Sequence, residues 1–209
     1  MDNNKKVKAR NYNFQSVQGI SQNQLQQHYK LYDGYIKNLN LIMSESRDAS
    51  DYQNSNATFS PMRSLKKGET YALDGVKLHE LYFENMTNSS GSASNSLLAL
   101  IRRDFISYEN FLNYFKQAGL AVRGWVVVVI DPRTDSLEII GQDAHDEGPI
   151  WDACPLLVMD VYEHAYMIDF GIDRSAYIDT FIKNINWNVV NDRLNKYMRL
   201  KAAESYRFL

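Results

Sequence analysis

The period of the apolar residues changes part-way along this chain, and that change limits the folds open to it. In the front half Leu25, His28, Tyr32, Tyr35, Leu39 and Ile42 recur at intervals of three or four, which predicts an amphipathic helix from residue 21 to about 43. A second stripe of His79, Tyr82, Phe83 and Met86 predicts another helix from about Asp74. The polar stretch 44–60, rich in Ser, Asn and Asp, reads as the exposed connection of a helical hairpin. Two more helices are expected over 97–105, with Arg102 and Arg103 turned away from Leu98 and Ile101, and over 108–118.

Beyond residue 120 the pattern becomes that of strands. Residues 122–130 are β-branched and apolar, 131–135 (DPRTD) carry turn chemistry, and 137–140 are apolar again, which together predict an antiparallel hairpin. A third strand is expected over 156–161, after which helical spacing returns through Tyr177, Phe181 and Ile182 and again over 189–200. The expected fold is therefore α+β: an N-terminal helical hairpin domain, 1–90, followed by a C-terminal α/β domain, 91–209, with a small three-stranded antiparallel sheet. The segment 88–95 (NSSGSASN) marks the boundary between them.

Composition narrows the classes of function. At 209 residues and 44% hydrophobic content the chain can bury a substantial core without covalent staples. Its single cysteine, Cys154, excludes an internal disulfide and a cysteine-based zinc site, and its apolar neighbours suggest a buried, inert thiol. The first ten residues, MDNNKKVKAR, are polar and charged, so neither a secretory signal nor a membrane anchor is expected there and the protein is expected to be cytoplasmic. The longest apolar runs, 125–130 and 155–159, are too short to span a bilayer, and a net charge of -2 gives no reason to expect nucleic acid or an anionic membrane as partner.

The chain has only four histidines, so their positions are informative. Asp160 and His164 lie four residues apart where a strand is expected to end, a spacing that lets a carboxylate and an imidazole converge on one metal ion. By itself the pair is weak evidence, because an Asp and a His near each other are more often an ordinary hydrogen-bonded pair. His28 and His79 each sit on the apolar side of a helix, where a core histidine bonded to a carbonyl is the commoner case. Two facing helices that each supply a buried imidazole nevertheless make a usual metal site, and three imidazoles with one carboxylate suit iron, manganese or zinc.

Residues 160–166 (DVYEHAY) resemble the signature D-x-W-E-H-x-[YF] of iron/manganese superoxide dismutases, with Tyr162 where tryptophan is usual. The resemblance covers roughly 20–40 and most of 75–194. LHELYF around His79 is similar to the family's N-H-x-x-[FY]-[FW] segment, Gly124-Trp125 to its glycine-tryptophan pair, Arg174 and Tyr177 to its R-x-x-Y near the dimer interface, and Asn186-Trp187-Asn188 to its closing segment. It implies one iron or manganese ion per chain held by His28, His79, Asp160 and His164, with superoxide as substrate. It also implies a homodimer, or a tetramer built from dimers, in which Glu163 reaches the partner's copy of His164.

For the first ligand, counting forward from Ile20-Ser21 gives His28, whereas counting backward from Tyr35-Ile36 gives Gln27. A one-residue deletion just after His28 reconciles the counts, and an imidazole is the better ligand. Around this position the family's histidine gateway is replaced by Tyr29, Tyr32 and Tyr35, and its second tyrosine after E-H-A-Y by Met167. Tyr35 is then the first candidate for the hydrogen-bonding tyrosine, with Tyr32 behind it. His145, in GQDAHDEGP, falls where the family has an outer-sphere glutamine or histidine, with Asp146 the alternative by one register and a surface turn the plain reading of both. Gly75, four residues before His79, matches the small residue found opposite such a group. Arg174 and Lys30 are candidates for attracting a small anion. The resemblance leaves two competing functions: an inactive dismutase-like scaffold with an altered first ligand, and peroxidation on the same ligand set.

Overall fold

A computed structural model describes residues 6–86, 91–148 and 151–205. The two long helices form as the spacing predicts. Helix α1 spans Gln22–Ser44, opened by Ser21, whose hydroxyl accepts from Gln24 N. It buries Leu25, His28, Tyr32, Ile36 and Leu39 on one face. Helix α2 spans Pro61–Met86 and packs against α1. Its start is a correction to the expected one near Asp74: residues 61–73 carry too few apolar side chains to show a period, yet Ser60 caps Arg63 N and Pro61 fits the first helical position, where no N–H is needed. The connection between the helices is exposed, with a single helical turn at Ala49–Tyr52.

Helix α3, Asn95–Phe105, is capped by Ser94, and α4, Tyr108–Ala121, by Ser107. Part of the boundary segment read at 88–95 lies outside the described residues. The sheet then follows as β1 (Trp125–Asp131), β2 (Ser136–Gln142) and β3 (Cys154–Asp160), antiparallel throughout in the order β2-β1-β3. The central strand β1 is covered on both faces, which explains its unbroken apolar run WVVVVI. It starts three residues later than the β-branched pattern suggests, because Val122 closes α4 by donating its N–H to Ala118 O.

Register fixes what lies at the site end of the sheet. Trp125 pairs with Gln142 on one side and Asp160 on the other, with a bulge at Val128/Val129 adjusting the β1/β3 pairing. A turn at Glu163–Ala165 and the short α5, Met167–Phe170, lead into α6, Arg174–Lys183, capped by Asp173, and α7, Trp187–Ser205. Helices α2 and α7 close the outer edge of β3: Asn85 Oδ1 accepts from Val158 N, and Arg193 donates to Leu156 O. No helix among the described residues is long and apolar enough to cross a membrane.

Candidate metal centre

Four side chains from three parts of the chain meet beneath the helical hairpin. The α1 stripe aims His28 inward, the α2 stripe His79, the end of β3 supplies Asp160, and the turn after it His164. All three imidazole Nε2 atoms converge on one oxygen: Asp160 Oδ2 lies 3.1 Å from that of His28, 3.2 Å from that of His164 and 3.8 Å from that of His79. His28, His79 and Asp160 are buried, while the His164 side chain is 30% exposed and marks the open side. The exposed Gln27 is not part of the cluster, so the helix register brings His28 rather than its neighbour to the site.

The donor set fits a metal ion. His79 donates from Nδ1 to Gly75 O at 2.6 Å, which leaves the Nε2 lone pair facing the cluster, and that buried Nε2 has no hydrogen-bond partner among the described residues. Burial holds the His28 and His79 imidazoles below their ordinary range, and so neutral, as ligands must be. For Asp160 burial acts upward but is outweighed by the imidazoles of His164 and His28, which hold the carboxyl below the usual carboxylate range. An anionic carboxylate among three imidazoles, with ligand atoms within 4.8 Å of one another, can hold one cation.

Around this cluster hydrogen bonds hold Asp160, His79 and the turn that carries His164, while the buried Nδ1 of His28 has no partner among the described residues. Asp160 Oδ1 accepts from Tyr162 N, and the Asp160 carbonyl from the Tyr177 hydroxyl at 2.6 Å, which lies 3.0 Å from the Tyr82 hydroxyl. Tyr177 is thus buried behind Asp160. Gln24, one turn before His28, donates to His164 O at 2.6 Å and accepts from Ile168 N, tying α1 to the turn that carries His164. Sequence reasoning missed Gln24 and Tyr82, although a polar residue on the apolar face of α1 was a visible signal. Phe83, Tyr82 and Trp125 wall the site, their rings 5.0 to 5.1 Å from the nearer histidine ring.

His145 turns inward, away from the surface turn that its composition suggested. The Trp125 indole N–H donates to its Nδ1 at 2.8 Å, so the neutral ring carries its proton on Nε2, which donates to the Tyr35 hydroxyl at 2.8 Å. Burial lowers His145 to about 4, so it is neutral near pH 7. Asp146 points elsewhere, to Lys67 at 2.6 Å. Gly75 makes room for the pair, since a Cβ there would lie 3.2 Å from Tyr35 Cδ1 and 3.4 Å from His145 Cδ2. Glu163 is exposed, and Arg174 is held by bonds to Tyr166 Oη and Val122 O.

Comparison with known proteins agrees with this geometry. The sequence model for iron/manganese superoxide dismutases, C-terminal domain, matches residues 93–193. A "Superoxide dismutase [Fe]" from Aquifex pyrophilus is 39% identical over 193 residues, 90% of this chain and 91% of the relative. This chain belongs to the iron/manganese superoxide dismutase family. Relatives named for either metal resemble it: a "Superoxide dismutase [Fe]" from Aquifex aeolicus is 38% identical over 90% of this chain and 91% of its own length, and a "Superoxide dismutase [Mn]" from Haloarcula marismortui is 33% identical over 86% and 79%. A helical front, a three-stranded antiparallel sheet and a histidine-carboxylate centre between them are thus the arrangement of a dismutase of this family in this chain.

Proposed function

We propose that the chain is a superoxide dismutase that converts two superoxide anions and two protons into dioxygen and hydrogen peroxide, with one iron or manganese ion held by His28, His79, Asp160 and His164. The observation that carries this reading is the convergence of three imidazole Nε2 atoms on one oxygen of the buried Asp160 carboxylate, in a chain of this family. When bound, the metal supplies one-electron chemistry, accepting an electron from one superoxide and passing one to the next. The chain's part is to orient the ligands, keep the site dry and move protons. The Asp160 carboxylate favours the higher charge of a bound ion, and the Gly75 carbonyl and Gln24 amide hold His79 and the His164 turn against rotation. The fully buried rings of Phe83, Tyr82 and Trp125 exclude water on three sides. Tyr35 and His145 form the hydrogen-bonded pair beside the site, suited to relaying a proton from its open side.

In this reading the enzyme is a cytoplasmic homodimer, a state that allows further pairing into tetramers, with residues 1–90 and 91–209 as its two domains. The exposed Glu163 would reach the partner's copy of His164 across an interface that covers Met167, Ile168 and Ile172, the last of which is 94% exposed in the single chain. The test is metal content by mass spectrometry with superoxide consumption on the same sample, for the parent, His28→Ala and Gln27→Ala. Close to one iron or manganese per chain is expected, with activity abolished in His28→Ala and retained in Gln27→Ala. Absence of metal and of activity after reconstitution with both ions would refute it and leave the scaffold.

A further inference from the structure

Tyr71 lies one helical turn before Gly75 and two before His79, so the three occupy one stripe of α2 facing α1. Its ring centroid is 4.5 Å from that of His145 and 6.1 Å from that of Tyr35, and the residue is 39% exposed, so its far face meets solvent. Nothing in the spacing of residues singles it out, because a half-exposed tyrosine on a helix carries no chemistry by type.

The need for it follows from how His145 is held. Residue 145 lies in a segment, 143–148, without helix or strand, so its side chain is placed by contacts rather than by an element. Its two hydrogen bonds, from Trp125 at Nδ1 and to Tyr35 at Nε2, fix two points on the ring. These bonds and the link to the backbone still allow the ring to tilt as its loop moves. Packing limits that tilt: the nearest rings are Tyr71 at 4.5 Å, Tyr35 at 4.9 Å and Tyr162 at 5.2 Å. Tyr162 is itself held, donating to Asp143 O and stacking on His164. Tyr71 is the cover on the solvent side.

We propose that Tyr71 is a positioning residue whose ring holds the His145–Tyr35 pair in register and keeps bulk water from competing for its hydrogen bond. The inference rests on the dismutase reading for its catalytic consequence, but its structural half stands apart from activity. The experiment compares metal-loaded parent, Tyr71→Phe and Tyr71→Ala by hydrogen exchange over 143–148, metal content, and separate kcat and KM for superoxide. In Tyr71→Ala we expect exchange in that segment to rise about tenfold, the ratio that about 1.4 kcal/mol of lost local stability gives. Exchange elsewhere and metal content should stay at parent values, with kcat lowered and KM unchanged. Tyr71→Phe, which keeps the ring and loses only the hydroxyl beside Tyr35, should restore exchange and bring kcat back towards the parent value. Unchanged exchange over 143–148 in Tyr71→Ala, or a Tyr71→Phe variant as impaired as Tyr71→Ala, would overturn the proposal. A parent that binds metal but consumes no superoxide would sink the dismutase reading, while the exchange data would still decide the role of the ring.

Discussion

Replacing Gly75 by alanine separates the demands of the helix from those of the site. In a helix interior alanine is favoured over glycine by about 1 kcal/mol. The added Cβ would lie 3.2 and 3.3 Å from Tyr35 Cδ1 and Cγ and 3.4 Å from His145 Cδ2, so one ring must yield by a few tenths of an ångström. Neither ring yields freely, because a 2.8 Å hydrogen bond joins them and Trp125 pins His145 from behind. Overpacking of this kind costs about 1 kcal/mol at the mild end of its range, which offsets the helix gain. Stability is therefore expected to stay within about 1 kcal/mol of the parent, a Tm shift of at most roughly 4 °C for a chain of this size. Activity responds differently: a lengthened Tyr35–His145 bond should lower kcat/KM about tenfold, or about 1.4 kcal/mol of barrier. Thermal unfolding and superoxide consumption on metal-matched samples read the two effects apart. Gly34, also in a helix, is the control, since a Cβ there meets nothing within 4 Å. Gly34→Ala should take the full helix gain at unchanged activity. If Gly75→Ala behaves like Gly34→Ala, with higher Tm and parental kcat/KM, the steric reasoning is wrong.

Ile106 is 84% exposed and sits at φ 71°, in a tight turn closed by Ser107 N–H to Phe105 O at 2.7 Å. Ile106→Gly should stabilise the protein by about 1 kcal/mol with activity unchanged, seen as a higher Tm. Tyr177→Phe removes the hydroxyl that serves the Asp160 carbonyl and leaves the Tyr82 hydroxyl short of a partner. A loss of about 2 kcal/mol is expected, a Tm lower by roughly 4–8 °C, and an unchanged Tm would show that the chain of hydroxyls contributes nothing. His145 is lowered to about 4 in the folded state, so the unfolded chain binds its proton first. Its contribution to stability is present above the ordinary histidine range and is lost as pH falls from about 6.5 towards 4. Denaturant unfolding of parent and His145→Gln across that range should show the parent losing more stability on acidification, and parallel curves would contradict the burial of a neutral ring.

Much of the site was legible because its chemistry is rare in this chain. Four histidines, three of them on apolar stripes or beside an acid at metal-ligand spacing, leave few ways to arrange a centre. The choice between His28 and Gln27 was not settled by counting, but a helix turns by about 100° per residue, so only one of two neighbours can face the core. The start of α2 was hidden because residues 61–73 lie mostly outside the core, where nothing selects an apolar period. Gln24, Tyr82 and Tyr71 were passed over for a different reason. Their side chains act on other side chains or on backbone, so spacing places Gln24 and Tyr82 on buried helix faces without telling what they hold there, and it says nothing of Tyr71.

The sheet governs the site more tightly than its distance along the sequence suggests. Trp125 is the cross-strand neighbour of both Asp160 and Gln142, so a single position at the end of β1 aligns the ligand on one side and, three residues past Gln142, His145 on the other. A one-residue slip of β3 against β1 would turn Asp160 to the opposite face and remove the oxygen on which the imidazoles converge. The bulge at Val128/Val129 absorbs one residue between Cys154 and Asp160, so the register at the far end of β3 and that at the metal end are set separately. Asn85, which binds the β3 backbone at Val158, holds the strand on the metal side of that bulge, and Arg193 binds the bulged residue, Leu156, itself. Residues with no contact to the ligands thereby decide whether the fourth one arrives.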